Sequence, residues 1–147
     1  MRFDRKELGV AVIGAGRIGT HRSRLAVQHP AVRFLAISDL EPERAEALGN
    51  RVGAQVTSGS NEEVIAHPDV NAVIVSTSEF AHVEPILQAL ELGKPVLVEK
   101  PIAMSLEDAD RVLSAMEKNK GDLRVGYIMR YKRQYFLGKE QIDEGRL

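Results

Sequence analysis

Residues 9 to 21 read Gly-Val-Ala-Val-Ile-Gly-Ala-Gly-Arg-Ile-Gly-Thr-His. A short apolar run, typical of a buried strand, leads into Gly14, Gly16 and Gly19, and residues 17–28 are compatible with a helix. The order of strand, Gly-x-Gly-x-x-Gly and helix is the fingerprint of dinucleotide binding. Spaced glycines alone would also suit an ordinary glycine-rich turn, so the interpretation depends on residues further along the chain.

Each glycine of the motif has a separate physical role. Gly14 permits the tight turn out of the strand, Gly16 lets the backbone approach a pyrophosphate, and Gly19 lets the helix pack close to the strand. Arg17 and Ile18 occupy the first turn of the helix, whose unpaired N–H groups and partial positive charge favour phosphate. We predict that these five residues bind a cofactor.

An acidic residue lies at the expected distance from the glycines. Asp39 lies twenty residues after Gly19, at the end of a second apolar run, where a carboxylate can accept hydrogen bonds from the adenosine ribose hydroxyls. The extra phosphate of NADP would be repelled there, because two unit charges about 4 Å apart repel by roughly 4 kcal/mol at an effective dielectric constant of about 20. Leu40 stands where a phosphate-binding side chain would be useful, and Arg44 falls on the next helix. The prediction is NAD rather than NADP.

Composition excludes several other classes of protein. The 147 residues include 20 basic and 21 acidic side chains, so bulk attraction to nucleic acid or to an anionic membrane is not indicated. The chain has no cysteine, which excludes disulfides and thiolate chemistry and is compatible with the cytoplasm, the location we expect. No apolar run approaches the roughly 18 residues of a membrane span, and residues 1–7 do not resemble a signal peptide. The histidines show no metal-binding spacing, so no metal site is predicted.

Apolar runs alternate with helical segments along the whole chain, a pattern typical of a parallel sheet with crossover helices. The predicted strands are 8–13, 32–38, 54–57, 72–75, 95–98 and 123–127. The predicted helices are 18–28, 42–51, a short one between Ser60 and His67, 80–92 and 106–119. We therefore predict an α/β fold of the Rossmann type, a doubly wound parallel sheet of order 3-2-1-4-5-6 with helices on both faces.

The ends of two further strands carry polar residues. Ser76 and Thr77 come after the fourth strand, and Glu99 and Lys100 come after the fifth. Ligands of doubly wound sheets bind beyond the carboxyl ends of the strands, where the order of the strands switches direction. We expect these residues to converge with the glycines and Asp39 on one crevice.

The tail from residue 127 differs from the rest. Tyr127, Tyr131 and Tyr135 are spaced by four and are interleaved with basic residues. A basic stripe with aromatic residues can bind nucleic acid, but a helix with an aromatic face docked on protein and a solvated basic face is the preferred interpretation.

Together these motifs resemble the glucose–fructose oxidoreductase/inositol dehydrogenase/rhizopine-catabolism (Gfo/Idh/MocA) family. The resemblance is carried by the glycine motif, by Asp39, by Ser76-Thr77 followed by His82, and above all by Glu99-Lys100-Pro101. Residues 126–131, Gly-Tyr-Ile-Met-Arg-Tyr, resemble the glycine-aromatic-x-x-arginine-aromatic segment of that family. The resemblance covers almost the whole chain.

The resemblance implies a two-domain enzyme. Members oxidise or reduce secondary alcohols of sugars and cyclitols with NAD or NADP, using an N-terminal Rossmann domain and a C-terminal domain that supplies most substrate contacts, proton-transfer residues and much of the oligomer interface. Residues 1–126 would be the dinucleotide-binding domain, and residues 127–147 a helical tail leading to a substrate domain outside this sequence. The complete protein is expected to be a homo-oligomer acting on a polyol or sugar, and this chain alone is expected to be inactive.

The resemblance also implies roles for individual residues. Lys100 would be the catalytic lysine near the nicotinamide, where an ammonium stabilises negative charge on the alcohol oxygen; without the resemblance, it would be a surface lysine paired to Glu99. Glu99 would orient Lys100 or contact the nicotinamide ribose. His82 would touch the nicotinamide end or be a loop or helix-cap residue. Arg130 would reach the nicotinamide or the domain interface, although Met129 departs from members with a second arginine there.

One alternative of a different class stays open. A dinucleotide sensor or scaffold could keep the fold and lack the reaction, although a lysine beside the nicotinamide argues for an enzyme. The sequence leaves the identity of the substrate and the oligomeric state undetermined.

Overall fold

A six-stranded parallel sheet is the centre of the structure, a computed structural model that describes residues 7–147. The strands are β1 (Leu8–Ile13), β2 (Val32–Ser38), β3 (Val56–Ser58), β4 (Ala72–Val75), β5 (Val96–Val98) and β6 (Leu123–Val125). Their order is 3-2-1-4-5-6 and every neighbouring pair is parallel, which confirms the predicted doubly wound sheet. The predicted absence of a signal peptide concerns residues that lie mainly outside the described range.

Helices cover both faces of the sheet. They are α1 (Arg17–Gln28), α2 (Pro42–Val52), α3 (Asn61–Ala66), α4 (Val83–Glu91), α5 (Leu106–Asn119) and α6 (Arg133–Asp143). Alternate residues of β1 enter opposite cores, as the two-residue period of a strand requires. Ala11 and Ile13 are buried against α3, α4 and α5, whereas Val10 and Val12 are buried on the side of α2, where Ala26 of α1 packs as well.

Several predicted boundaries differ from the structure by one or two residues, and two of the differences have identifiable reasons. The third strand begins at Val56 rather than at residue 54, because the N–H of Ala54 donates to the carbonyl of Gly49 (3.0 Å) and so completes the end of α2. The helix predicted over 80–92 divides into a 3₁₀ turn, Glu79–Ala81, and α4. Pro85 has no N–H to donate one turn back, so a continuous helix from residue 80 would lose a backbone hydrogen bond.

The tail leaves the sheet after β6. A 3₁₀ turn, Ile128–Tyr131, leads into α6, and α6 has no buried residue. Large apolar side chains stay exposed in the tail, including Tyr131 of the 3₁₀ turn at 87% and Phe136 of α6 at 63%.

Within residues 7–147, no helix combines the length and the hydropathy that crossing a membrane requires.

Candidate functional site

The crevice of the fold lies between β1 and β4. The two strands are paired in register, with Ile13 beside Val75, so the segments after them leave the sheet side by side. The helix after β1 packs on one face and the helix after β4 on the other. This is the switch point at which doubly wound sheets bind their ligands.

Gly14 and Gly19 lie where the backbone packs against other backbone segments too closely for a side chain. Gly14 has φ +96°, and a Cβ there would lie 2.8 Å from the carbonyl oxygen of Ser76. A Cβ on Gly19 would overlap the carbonyl oxygen of Gly14. The roles predicted for these two glycines, a tight turn and close helix packing, match this geometry.

Gly16, unlike Gly14 and Gly19, is not packed against another segment of residues 7–147. A Cβ built on it would meet no heavy atom of residues 7–147 within 4 Å, so the space in front of it is open in that part of the chain. Gly16 is also the N-cap of α1, and no side chain of the described residues caps that helix. The first-turn N–H groups, including those of Arg17 and Ile18, therefore lack intrahelical partners and carry the partial positive charge of the helix end. A diphosphate fits an open space of this kind.

Asp39 stands beside the glycine loop at the end of β2. One carboxylate oxygen accepts a hydrogen bond from the N–H of Ala15 (2.7 Å), and the other accepts one from the N–H of Glu41 (3.0 Å). Both oxygens keep a further lone pair for a ligand hydroxyl. The nearby Arg44 is paired with the carboxylate of Glu41 (2.9 Å). The bond to Ala15 fixes the acid against the loop and could not be read from the sequence.

Ser76 and Thr77 form the opposite wall of the crevice. The hydroxyl of Ser76 is buried and has no hydrogen-bond partner among the described residues, so Ser76 presents its backbone rather than its side chain to the loop of Gly14. The hydroxyl of Thr77 donates to the carbonyl of Ser78 (3.1 Å).

The ring of His82 lies between two loops and contacts a carbonyl oxygen of each. Its ring is 1% exposed, with Nδ1 2.7 Å from the carbonyl oxygen of Pro101 and Nε2 3.3 Å from that of Thr77. The ring therefore ties the loop after β4 to the loop after β5 and is not displayed on the crevice surface. His82 directly precedes α4, as the loop or helix-cap alternative predicts, and its contact with the nicotinamide end stays a prediction.

Glu99 and Lys100 end the fifth strand but do not pair with each other. The carboxylate of Glu99 accepts from Nε of Arg22 (3.0 Å) and also from its Nη2, and the two side chains are 14% and 19% exposed. Lys100 is exposed, and the described residues place no carboxylate within 4.0 Å of its ammonium. The Lys100–Pro101 peptide bond is cis. The simple interpretation of Lys100 as a surface lysine paired to Glu99 is therefore not what the structure shows.

Arg130 belongs to the 3₁₀ turn Ile128–Tyr131 of the tail. It lines a groove of about 450 Å³ that the tail forms by itself, together with Met129, Tyr135, Phe136 and Lys139. None of the other predicted site residues lines this groove.

A second groove offers an alternative location for a ligand. It has a volume of about 750 Å³ and is lined by α4 and α5 residues that include Leu87, Asp110 and Arg111. This groove belongs to the outer helical layer, and its lining is mostly polar side chains of helices. It contains none of the predicted strand-end residues.

Comparison with known proteins identifies the relatives of this chain. The model of an oxidoreductase family with an NAD-binding Rossmann fold, GFO_IDH_MocA, matches residues 8–127. Inositol 2-dehydrogenase 3 of Saccharopolyspora erythraea is 38% identical over 92% of the chain, and inositol 2-dehydrogenase of Rubrobacter xylanophilus is 33% identical over 99%. The chain spans only 40% and 42% of the lengths of these two relatives.

A solved structure agrees in fold and in sequence. Myo-inositol dehydrogenase from Lactobacillus casei, in complex with NAD(H) and myo-inositol, superimposes with a TM-score of 0.84 at 31% identity. The match covers 94% of this chain and 42% of that one.

Proposed function

We propose a function from one premise: the chain belongs to the oxidoreductase family with an NAD-binding Rossmann fold whose model matches residues 8–127. It is the dinucleotide-binding domain of an oxidoreductase similar to inositol dehydrogenases. The complete protein transfers hydride between NAD and a secondary alcohol, and its substrate is a cyclitol or a related sugar. Support for that substrate class comes from relatives that are inositol dehydrogenases.

The observation that carries the proposal is the open N-terminus of α1 beside a fixed carboxylate. The diphosphate lies against the amides just after Gly16, because that is where a Cβ would meet no atom and where the helix charge is favourable. The adenosine ribose then reaches Asp39, whose oxygens are held in place by the N–H groups of Ala15 and Glu41. Ser76 and Thr77 line the side of the crevice that leads to the nicotinamide.

NAD is preferred over NADP for electrostatic reasons. A 2′-phosphate would adjoin Asp39, and the nearest basic residue on the following helix, Arg44, is already paired with Glu41. Glu41 therefore offsets part of the positive charge that Arg44 could present to that phosphate.

The chemical step is assigned to Lys100. The nicotinamide, when bound, supplies the hydride acceptor. Lys100 donates a hydrogen bond to the alcohol oxygen and stabilises the negative charge that grows there as its proton leaves. Glu99 contacts the nicotinamide ribose through the oxygen that Arg22 does not engage. Arg130 acts at the boundary with the substrate domain.

The domain organisation is inferred from the length of the relatives. Residues 1–126 form the cofactor domain, and the tail 127–147 leads into a substrate domain that completes the site. The exposed apolar side chains of α6, such as Phe136, support this arrangement because they need a covering surface. The complete protein is a homo-oligomer.

Asp39→Ala tests the cofactor site. We expect NAD affinity, measured by calorimetry, to fall at least about tenfold, because each lost hydrogen bond to a charged acceptor is worth about 1.5–3 kcal/mol. Asp110→Ala, an exposed acid on α5, is the matched control and should leave the affinity unchanged. An unchanged affinity in a folded Asp39→Ala chain would remove Asp39 from the site.

A further inference from the structure

We propose that Arg22 is a positioning residue that holds the carboxylate of Glu99 away from Lys100. The ammonium of Lys100 is thereby left free to face the alcohol oxygen of the substrate. The inference rests on the catalytic role proposed for Lys100, and it adds a residue of α1 to the machinery of the reaction.

Glu99 is the sequence neighbour of Lys100, so its carboxylate competes with the substrate for the ammonium of Lys100. Glu99 and Lys100 are neighbours that directly follow β5, so their opposite charges attract each other at short range. A lysine in such a pair would have its donors directed at Glu99, and its positive charge would be offset where the reaction needs it. A second cation paired with this carboxylate leaves the N–H donors of Lys100 available to the substrate.

The guanidinium of Arg22 binds the carboxylate of Glu99. Its Nε and Nη2 both donate to Oε1 of Glu99, so the planar guanidinium holds the oxygen with two N–H groups. The pair is largely buried, with the two side chains 19% and 14% exposed, and solvent screens it less than a surface pair. Lys100, in contrast, is exposed and has no carboxylate within 4.0 Å in the part of the chain that the structure describes.

The surroundings keep the pair in this geometry. A Cβ on Gly126 would lie 3.3 Å from Nη2 of Arg22 and 3.4 Å from Oε1 of Glu99, so the chain passes closely over the ion pair. On the other side of Lys100, the carbonyl of Pro101 is bound by the ring of His82. Both sequence neighbours of Lys100 are therefore anchored, whereas its own side chain is free.

The test is a double-mutant cycle in the complete protein that contains this chain. Arg22→Met removes the guanidinium, Glu99→Gln removes the competing charge, and Arg24→Met, an exposed arginine on the same helix, is the matched control. We expect Arg22→Met to lower kcat at least about tenfold, as misplacement of a catalytic group does, while the NAD dissociation constant changes by a smaller factor than kcat. Arg24→Met should stay within about twofold of the parent protein.

The decisive result is rescue. If Arg22 acts by restraining Glu99, the double variant Arg22→Met/Glu99→Gln has a higher kcat than Arg22→Met alone, because no carboxylate is left to capture Lys100. A double variant that is no better than Arg22→Met would overturn the proposal, since a purely structural role predicts no rescue. If Arg22→Met does not fold, the same comparison is made with Arg22→Lys, which keeps the charge but loses the two-donor geometry.

Failure of the proposed function is recognised separately. Loss of Lys100 itself, in a Lys100→Met variant, must abolish turnover if the lysine is catalytic. An active Lys100→Met protein would refute the catalytic role and the positioning role together. An inactive Lys100→Met protein with a fully active Arg22→Met protein would refute only the positioning role.

Discussion

Lys100→Met in the complete protein is expected to lower kcat for alcohol oxidation by about 10²–10³-fold, the usual loss when a donor to a developing oxyanion is removed. Methionine has nearly the length of lysine but no charge and no N–H donor. The diphosphate and the adenosine ribose are bound elsewhere, around Gly16 and Asp39, so the NAD dissociation constant should change by less than about threefold. Steady-state kinetics and calorimetry measure the two quantities.

The control for this substitution is Lys118→Met, an exposed lysine on α5 far along the chain from the strand ends. It should leave both quantities unchanged. A Lys100→Met protein with full turnover would contradict the catalytic assignment. A complete protein with no alcohol turnover at all, but with an NAD-dependent output that Lys100→Met leaves intact, would favour the sensor alternative.

Gly16→Val is expected to weaken NAD binding by about a hundredfold or more without unfolding the chain. The new side chain would occupy the open space in front of α1, where the backbone must approach the diphosphate. The backbone of Gly16, with φ −68° and ψ −167°, suits an ordinary residue, and no atom of the described residues lies within 4 Å of the new Cβ. The melting temperature should therefore change by only about 2 °C, the shift expected for a substitution within about 0.5 kcal/mol.

Two other glycines serve as controls for Gly16→Val. Gly138 on α6 also has open space around a Cβ, and Gly138→Val should leave NAD affinity unchanged. Gly19→Ala should instead destabilise the fold, because its Cβ would overlap the carbonyl oxygen of Gly14. A Gly16→Val chain that binds NAD normally would show that the diphosphate lies elsewhere.

The local pattern of apolar residues and glycines was sufficient to predict the order of the strands and the position of the glycine loop. The strand Leu8–Ile13 and the helix after it were predicted correctly, because apolar periodicity and glycine spacing are properties of adjacent residues. The predicted ends of strands and helices were less accurate where a residue expected in one element completes the hydrogen bonding of another. Ala54 shows this, since it closes α2 with a backbone hydrogen bond and so delays the start of β3.

Contacts between distant residues could not be predicted. Arg22 and Glu99 are 77 positions apart, and nothing in the helix of Arg22 indicates that its guanidinium meets the end of β5. His82 was predicted to touch the nicotinamide end or to be a loop or helix-cap residue, but its two carbonyl partners lie on loops that only the folded sheet brings together. Arg130 was predicted to reach the nicotinamide or the domain interface, and its place in a groove formed within the tail could not be read from the sequence.

The placement of the dinucleotide is tested most directly by titrating NAD into the ¹⁵N-labelled 147-residue chain and monitoring its amide resonances. One bound NAD per chain is expected, with the largest shifts at residues 15–19, at Asp39 and at Ser76-Thr77. Shifts centred instead on the α4–α5 groove around Leu87 and Arg111, or no shifts at millimolar NAD, would contradict a cofactor seated at the switch point between β1 and β4.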